Sequence, residues 1–302
     1  RKRKPVAACL QMSELLPGTA ASVASQWVVR LREAPVRYPA ALLYCGRSVA
    51  EALKATEAVQ GTLHFVSAGL GVVAADAKIP AYNLTVATSR QGSVLSRLVD
   101  ANAAPSIWWM ALNSALGTRC PISSLIEASS CTVLLAMPAT YLNMIAGELE
   151  SLPEPARLRV RVVGPRKRQD LPIALRSQWM PYDSRLQLLQ GVAGTESDFP
   201  HRAVRHFAEH VLSANPEGSA AQHAATVDRL LGKRRYVRPM PGQRMTDDEL
   251  LPVIRRVWRE QNGNRSRALR ELRTGLRLAC EQSRFKRLVD QLEGEVGAAR
   301  SS

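Results

Sequence analysis

No apolar run in the sequence approaches the roughly 18 residues that a membrane-spanning helix needs, so no membrane partner is expected. The opening stretch "RKRKPVAACL" is basic but has neither a long apolar segment nor a small-residue cleavage site, and no secretion signal is read from it. Cysteine is sparse and unpaired in pattern: Cys9, Cys45, Cys120, Cys131 and Cys280 are odd in number and widely scattered. No Cys-x-x-Cys occurs and no histidine lies at ligand spacing from a cysteine, so neither a zinc site nor a disulfide framework is expected. Reduced thiols in a cytoplasmic protein without a metal or organic cofactor fit this usage. His206 and His210 have a spacing that could hold a metal, but no glutamate follows the first as a metalloprotease helix requires. A Gly-x-Ser-x-Gly nucleophile elbow is also missing, and no internal repeat is seen.

Acidic residues are the other shortage. Against 41 lysines and arginines there are 26 aspartates and glutamates, a formal charge of +15. A surplus of this size sits on the surface, where it attracts polyanions and speeds their encounter. Nucleic acid is the expected partner, in the form of double-stranded DNA.

What is present is an alternation. Short β-type runs, "PVAACL" (5–10), "LHFVSA" (63–68), "CTVLLAM" (131–137) and "RLRVRVVG" (157–164), are separated by stretches of helical periodicity such as "SVASQWVVRLREA" and "SVAEALKATEAV". The pattern predicts an α/β fold, a mostly parallel sheet flanked by helices, with ligands beyond the carboxyl ends of the strands. Three segments are expected: an α/β domain over 1–230, a basic linker over 231–244 and a small helical domain over 245–302. In the last, Thr246-x-x-Glu249 is a capping-box signature for a helix start. A glycine-containing turn between two short helices then resembles a helix-turn-helix. Its arginines, with those of the linker, would neutralise phosphates; Lys233, Arg234, Arg235, Arg267, Arg270 and Arg284 are the candidates there, and Arg47, Arg185 and Arg202 in the larger domain.

The stretch "FVSAGLGVVAADAKIPAYNLTV" (65–86) carries the candidate pocket. A strand ends in Ser67-Ala68-Gly69, small residues that let a ligand approach the backbone. Tyr82 then offers a flat face for a base, and Asn83 an amide that donates and accepts. The alternative is a turn in which Tyr82 packs in the core and Asn83 caps a helix. Met137-Pro138-Ala139-Thr140-Tyr141 is expected to occupy the corresponding position after another strand. Asp183 with Arg185, and Asp198 with Arg202, read either as structural ion pairs or as carboxylates near a nucleotide.

The run from Pro39 to Val86, with its Pro-Ala and Leu-Tyr entry, its Ser-Ala-x-x-Gly turn and its Pro-x-Tyr-Asn loop, resembles a bacterial family related to the peroxide-stress YaaA proteins. More remotely it is similar to the α/β fold of uracil-DNA glycosylases and to antiphage DNA glycosylases, although the Gly-Gln-Asp-Pro-Tyr-His motif of the uracil enzymes is absent. The resemblance implies a monofunctional enzyme that flips a hypermodified, for instance glucosylated, base out of phage DNA and hydrolyses its N-glycosidic bond. Asn83 or Asp76 would position the water. Ser67, Gly69, Tyr44, Tyr82, Pro138, Thr140 and Tyr141 would hold the base. Family members often have Asp where this chain has Asn83. Lys78 is the one lysine near the expected pocket, so no Schiff-base lyase step is expected. A non-catalytic DNA-binding or nucleotide-sensing protein, or a base-exchange enzyme, would carry the same features.

Overall fold

The structure is a computed structural model that describes residues 9–35, 37–87, 92–100, 102–233, 235–236 and 242–300, the last six as backbone only. The chain divides into two compact units, Arg1–Tyr236 and Val237–Ser302.

The larger unit is mixed α/β, with helices predominating. Strand β1 (Leu10–Gln11) leads to helix α1 (Ala20–Glu33), which starts where the Thr19 side chain accepts a hydrogen bond from the Ser22 N–H. Its Val23, Trp27, Val28 and Leu31 recur at helical spacing and are buried. β2 (Tyr38–Pro39), α2 (Ala40–Leu43) and α3 (Arg47–Ala58) follow; then come β3 (His64–Ser67), β4 (Gly71–Ala74), β5 (Lys78–Ile79) and β6 (Tyr82–Asn83). Helix α4 (Pro105–Leu116) opens on a proline and closes at Gly117 in the left-handed region, the usual asymmetry of helix ends. Next are α5 (Pro121–Ala128), β7 (Val133–Ala136), three short helices α6 (Ala139–Met144), α7 (Ala146–Glu150) and α8 (Glu154–Leu158), and β8 (Val160–Val163). α9 (Phe199–Phe207) and α10 (Ala220–Leu231) complete the unit.

The expected mostly parallel sheet is not found. Among the described residues the strands pair two by two: β1 with β6 and β7 with β8 are parallel, while β2 with β5 and β3 with β4 are antiparallel. Two causes are visible. The strands are two to four residues long. In addition β3 turns straight back at Ser67–Gly71, Gly71 having a φ of +73°, so it forms a hairpin instead of feeding a helical crossover. β7 and β8 form a strand–helix–strand unit; of the 157–164 run, residues 157–158 belong to α8 and 160–163 to β8. Of the 5–10 run, residues 5–8 lie outside the described residues.

One core gathers Trp27, Trp108, Trp109, Leu112, Leu142 and Ile145, and a second gathers Val163, Tyr182, Phe199, Phe207 and Val227.

The smaller unit contains α11 (Asp247–Glu260), α12 (Arg265–Arg270) and α13 (Gln282–Arg300) around a core of Leu250, Ile254, Val257, Leu272, Phe285 and Val289. The Thr246–Glu249 capping box starts α11. α12 runs on into a π-helical turn, Glu271–Gly275, and Gln243 then pairs with the segment around Leu278.

Candidate functional site

In the larger unit the turn after β3 is gripped from within. The Trp108 indole N–H donates to the Ala68 carbonyl and that of Trp27 to the Gly69 carbonyl, each at 2.7 Å. Tyr82 comes up beneath the turn. Its hydroxyl lies 2.5 Å from both Ser67 Oγ and the Tyr44 hydroxyl. A Cβ on Gly69 would stand 2.7 Å from the Tyr82 ring, so the glycine makes room for the tyrosine. Burial pushes the Tyr82 phenol well above its ordinary pKa and raises that of Tyr44, with Tyr141 in α6 near enough to raise both further. Both phenols stay protonated at physiological pH, and the Tyr82 hydroxyl, with one proton for two partners, accepts from at least one of them.

Ser67, Gly69, Tyr44, Tyr82 and Tyr141 are thus brought together. Tyr82, however, is 4% exposed, with the Trp27 ring edge-on to it at 6.1 Å. A base has no face of Tyr82 to stack on, which corrects the role expected for it; the alternative of core packing applies. Tyr44 is only half-buried, 4.8 Å from the ring of Phe65. Pro138 and Thr140 are exposed at the carboxyl end of β7.

The two expected water-positioning residues stand apart from this cluster. Successive side chains on a strand point to opposite faces, so Asn83 faces out where Tyr82 faces in. Its amide donates to Gln11 Oε1 at 3.1 Å. Asp76 sits in the exposed turn after β4, at the end opposite Gly71, about 10 Å of strand away. This corrects the expectation that either residue shares a pocket with Ser67 and Tyr82.

Several arginines of this unit are structural. Arg202 is completely buried; its guanidinium donates to Asp198 Oδ1 at 2.6 Å and to the carbonyls of Val192 at 2.6 Å and Thr195 at 2.8 Å. Arg47 donates to the Ala193 carbonyl at 2.7 Å and pairs with Glu51 at 3.3 Å, while Arg205 joins Glu51 to Glu209. Arg185 bridges Asp183 and Asp228 and donates to the Gly232 carbonyl at 2.8 Å. Arg185 and Arg202 are therefore not the phosphate contacts expected of them: their donors are spent on internal acceptors. Arg47, held through two of its nitrogens, keeps an exposed side chain. Asp183 with Arg185 and Asp198 with Arg202 are structural ion pairs. Arg161, which no motif in the sequence marks, is also buried, donating to His223 Nδ1 at 2.9 Å and to the Gly218 carbonyl at 2.7 Å.

Lys233 and Arg235 are exposed near the end of this unit, and Arg234 lies outside the described residues. In the smaller unit Arg267 and Arg270 are exposed, three residues apart on one face of α12. Neither they nor the exposed Arg259, Arg277 and Lys286 make an ion pair among the described residues. Arg284 is different: it donates to Asp247 at 2.6 Å and to the Met245 carbonyl at 2.7 Å, so it holds α13 to the start of α11. That corrects its expected part in DNA contact.

Among the described residues no group of three histidines, cysteines or acids could hold a metal, and no helix is long and apolar enough to cross a membrane. Comparison with protein-family models, with curated proteins and with solved structures finds no match.

Proposed function

We propose that the protein binds nucleic acid, with duplex DNA as the partner, through the basic helical unit 237–302. The observation that carries this reading is a group of exposed cations without an acidic partner among the described residues, of which Arg259, Arg267, Arg270, Arg277 and Lys286 lie outside the cleft described below. Over residues 255–287 eleven basic side chains face three acidic ones. Cations held in this way release condensed counterions when they meet phosphates, and the affinity falls steeply with salt. The test is duplex binding by fluorescence anisotropy across a salt series. A log–log slope of zero, or binding unchanged when Arg259, Arg267 and Arg270 are all replaced by Ala, would falsify this reading.

A second reading, excision of a modified base from phage DNA, is favoured by the convergence of the Ser67, Tyr44 and Tyr82 hydroxyls on one hydrogen-bonded cluster. On this reading the half-buried Tyr44, rather than Tyr82, meets the flipped nucleotide, and Tyr82 fixes its hydroxyl. Extrusion of a base costs a few kcal/mol, which contacts in such a pocket repay. Incubation with unmodified and phage-modified DNA, followed by mass spectrometry for free base and an aldehyde-reactive probe for abasic sites, tests it. Release from modified DNA supports excision; salt-sensitive binding with no base released leaves the binding reading alone.

A further inference from the structure

Within the smaller unit a cleft of about 660 Å³ lies between the 242–245 segment, the π-helical turn after α12 and the start of α13. Its floor is apolar, formed by Met245, Leu278, Ala279 and Cys280. Burial raises the Cys280 thiol, which stays neutral and belongs to that floor rather than to any nucleophilic chemistry. Three guanidiniums line the walls. That of Arg284 is engaged by Asp247 and the Met245 carbonyl. Arg273 is oriented differently: its Nε donates to the Cys280 carbonyl at 2.9 Å, which fixes the plane and leaves both terminal nitrogens without a partner among the described residues. Arg244 is exposed, with no hydrogen bond or ion pair among them. Glu281 is the acidic residue of the lining.

We propose that this cleft is a nucleotide site. Two guanidiniums with free donors match the oxygens of a phosphate, which they engage in paired, charge-assisted hydrogen bonds. An inorganic phosphate would leave the apolar floor uncovered. A nucleoside phosphate covers it with the base, and its sugar hydroxyls offer donors to the Glu281 carboxylate. The volume is in the range of small-ligand sites. The ligand is a nucleoside monophosphate, either free or as the phosphorylated end of a strand. This goes beyond duplex binding, which rests on other arginines, and the two fail separately.

The experiment is calorimetric titration of the full chain with AMP, adenosine, and a single-stranded hexanucleotide with and without a 5′-phosphate. AMP or the phosphorylated strand is expected to bind, and adenosine and the 5′-hydroxyl strand to bind about tenfold more weakly or worse. Arg273→Ala should lower affinity about tenfold, and Arg273→Lys should recover part of it by keeping the charge without the fork. Arg244→Ala, which breaks no internal bond among the described residues, should weaken binding with the fold intact. Binding of AMP alone assigns a free nucleotide, and binding of the phosphorylated strand alone assigns a strand end. No binding of either, or binding indifferent to both arginines, overturns the site, even if duplex affinity in the same preparation is intact.

Discussion

Arginine has two opposite uses, and the two units supply the clearest case of each. In the larger one Arg202 and Arg161 are among the most buried residues of the molecule, each holding backbone carbonyls and a side-chain partner. In the smaller one Arg259, Arg267, Arg270 and Arg277 stand in solvent. A charge count treats these arginines alike, yet only the second group is available to a polyanion. What separates them is whether neighbouring carbonyls and carboxylates have already taken their donors. The sharpest way to break the comparison is Asp198→Ala. It leaves the fully buried Arg202 without its carboxylate, and removing one member of a buried pair costs about 3–5 kcal/mol. Urea denaturation should show a loss of that size. A loss below about 1 kcal/mol would mean that Arg202 is compensated elsewhere and that burial does not commit its donors.

The larger unit should also carry a pH dependence that its histidines impose. Burial first, then the neighbouring His210, pushes His206 down to about 4, and its Nδ1 lies 2.8 Å from the Tyr182 hydroxyl. An unfolded chain binds this proton near pH 6.5, so between there and about 4 the unfolded state holds more protons than the folded one. Stability contributed by the neutral ring is complete above pH 6.5 and is lost as pH falls toward 4, by up to about 1.4 kcal/mol per unit. Unfolding midpoints measured from pH 7 to 4 should fall more steeply in the wild type than in His206→Gln. Parallel curves would remove His206 from the account.

Gly69→Ala should be milder, because the conflict involves one ring. The added methyl meets Tyr82 at 2.7 Å, and overpacking of this kind costs about 1–3 kcal/mol. A thermal melt checks it; a variant as stable as the wild type would mean that the Tyr82 ring yields and that the turn is less rigid than its two indole hydrogen bonds imply.

Some of this was legible in the sequence. The helical periodicity around Trp27 and the Thr246–Glu249 pair mark α1 and the start of α11, since both signals are local. The small residues at 67–69 and the Pro-x-Tyr loop mark two segments that do meet, at Ser67 Oγ and the Tyr82 hydroxyl. The sheet arrangement was not legible, because strands of two to four residues carry no information about their partners. Helix α10 was hidden behind the polar "SANPEGS", although Ser219 and Gln222 form a capping box there. The burial of Arg202 was hidden for a deeper reason: two of its acceptors are backbone carbonyls, which every residue possesses and no residue advertises.

The smallest effect on stability and the most direct one on function should come from Arg267→Ala with Arg270→Ala. Both side chains are exposed and make no ion pair among the described residues, so their loss should move the unfolding free energy by no more than about 0.5 kcal/mol. If each neutralises one DNA phosphate, the log–log salt slope should fall by about 1.8, the share of two released counterions. Arg185→Ala is the control from the other unit. It breaks the pairs with Asp183 and Asp228 and should cost stability while leaving the salt slope where it was. The crossed outcome, a changed slope for Arg185→Ala and an unchanged one for the α12 pair, would place the nucleic-acid surface on the larger unit and turn the comparison around.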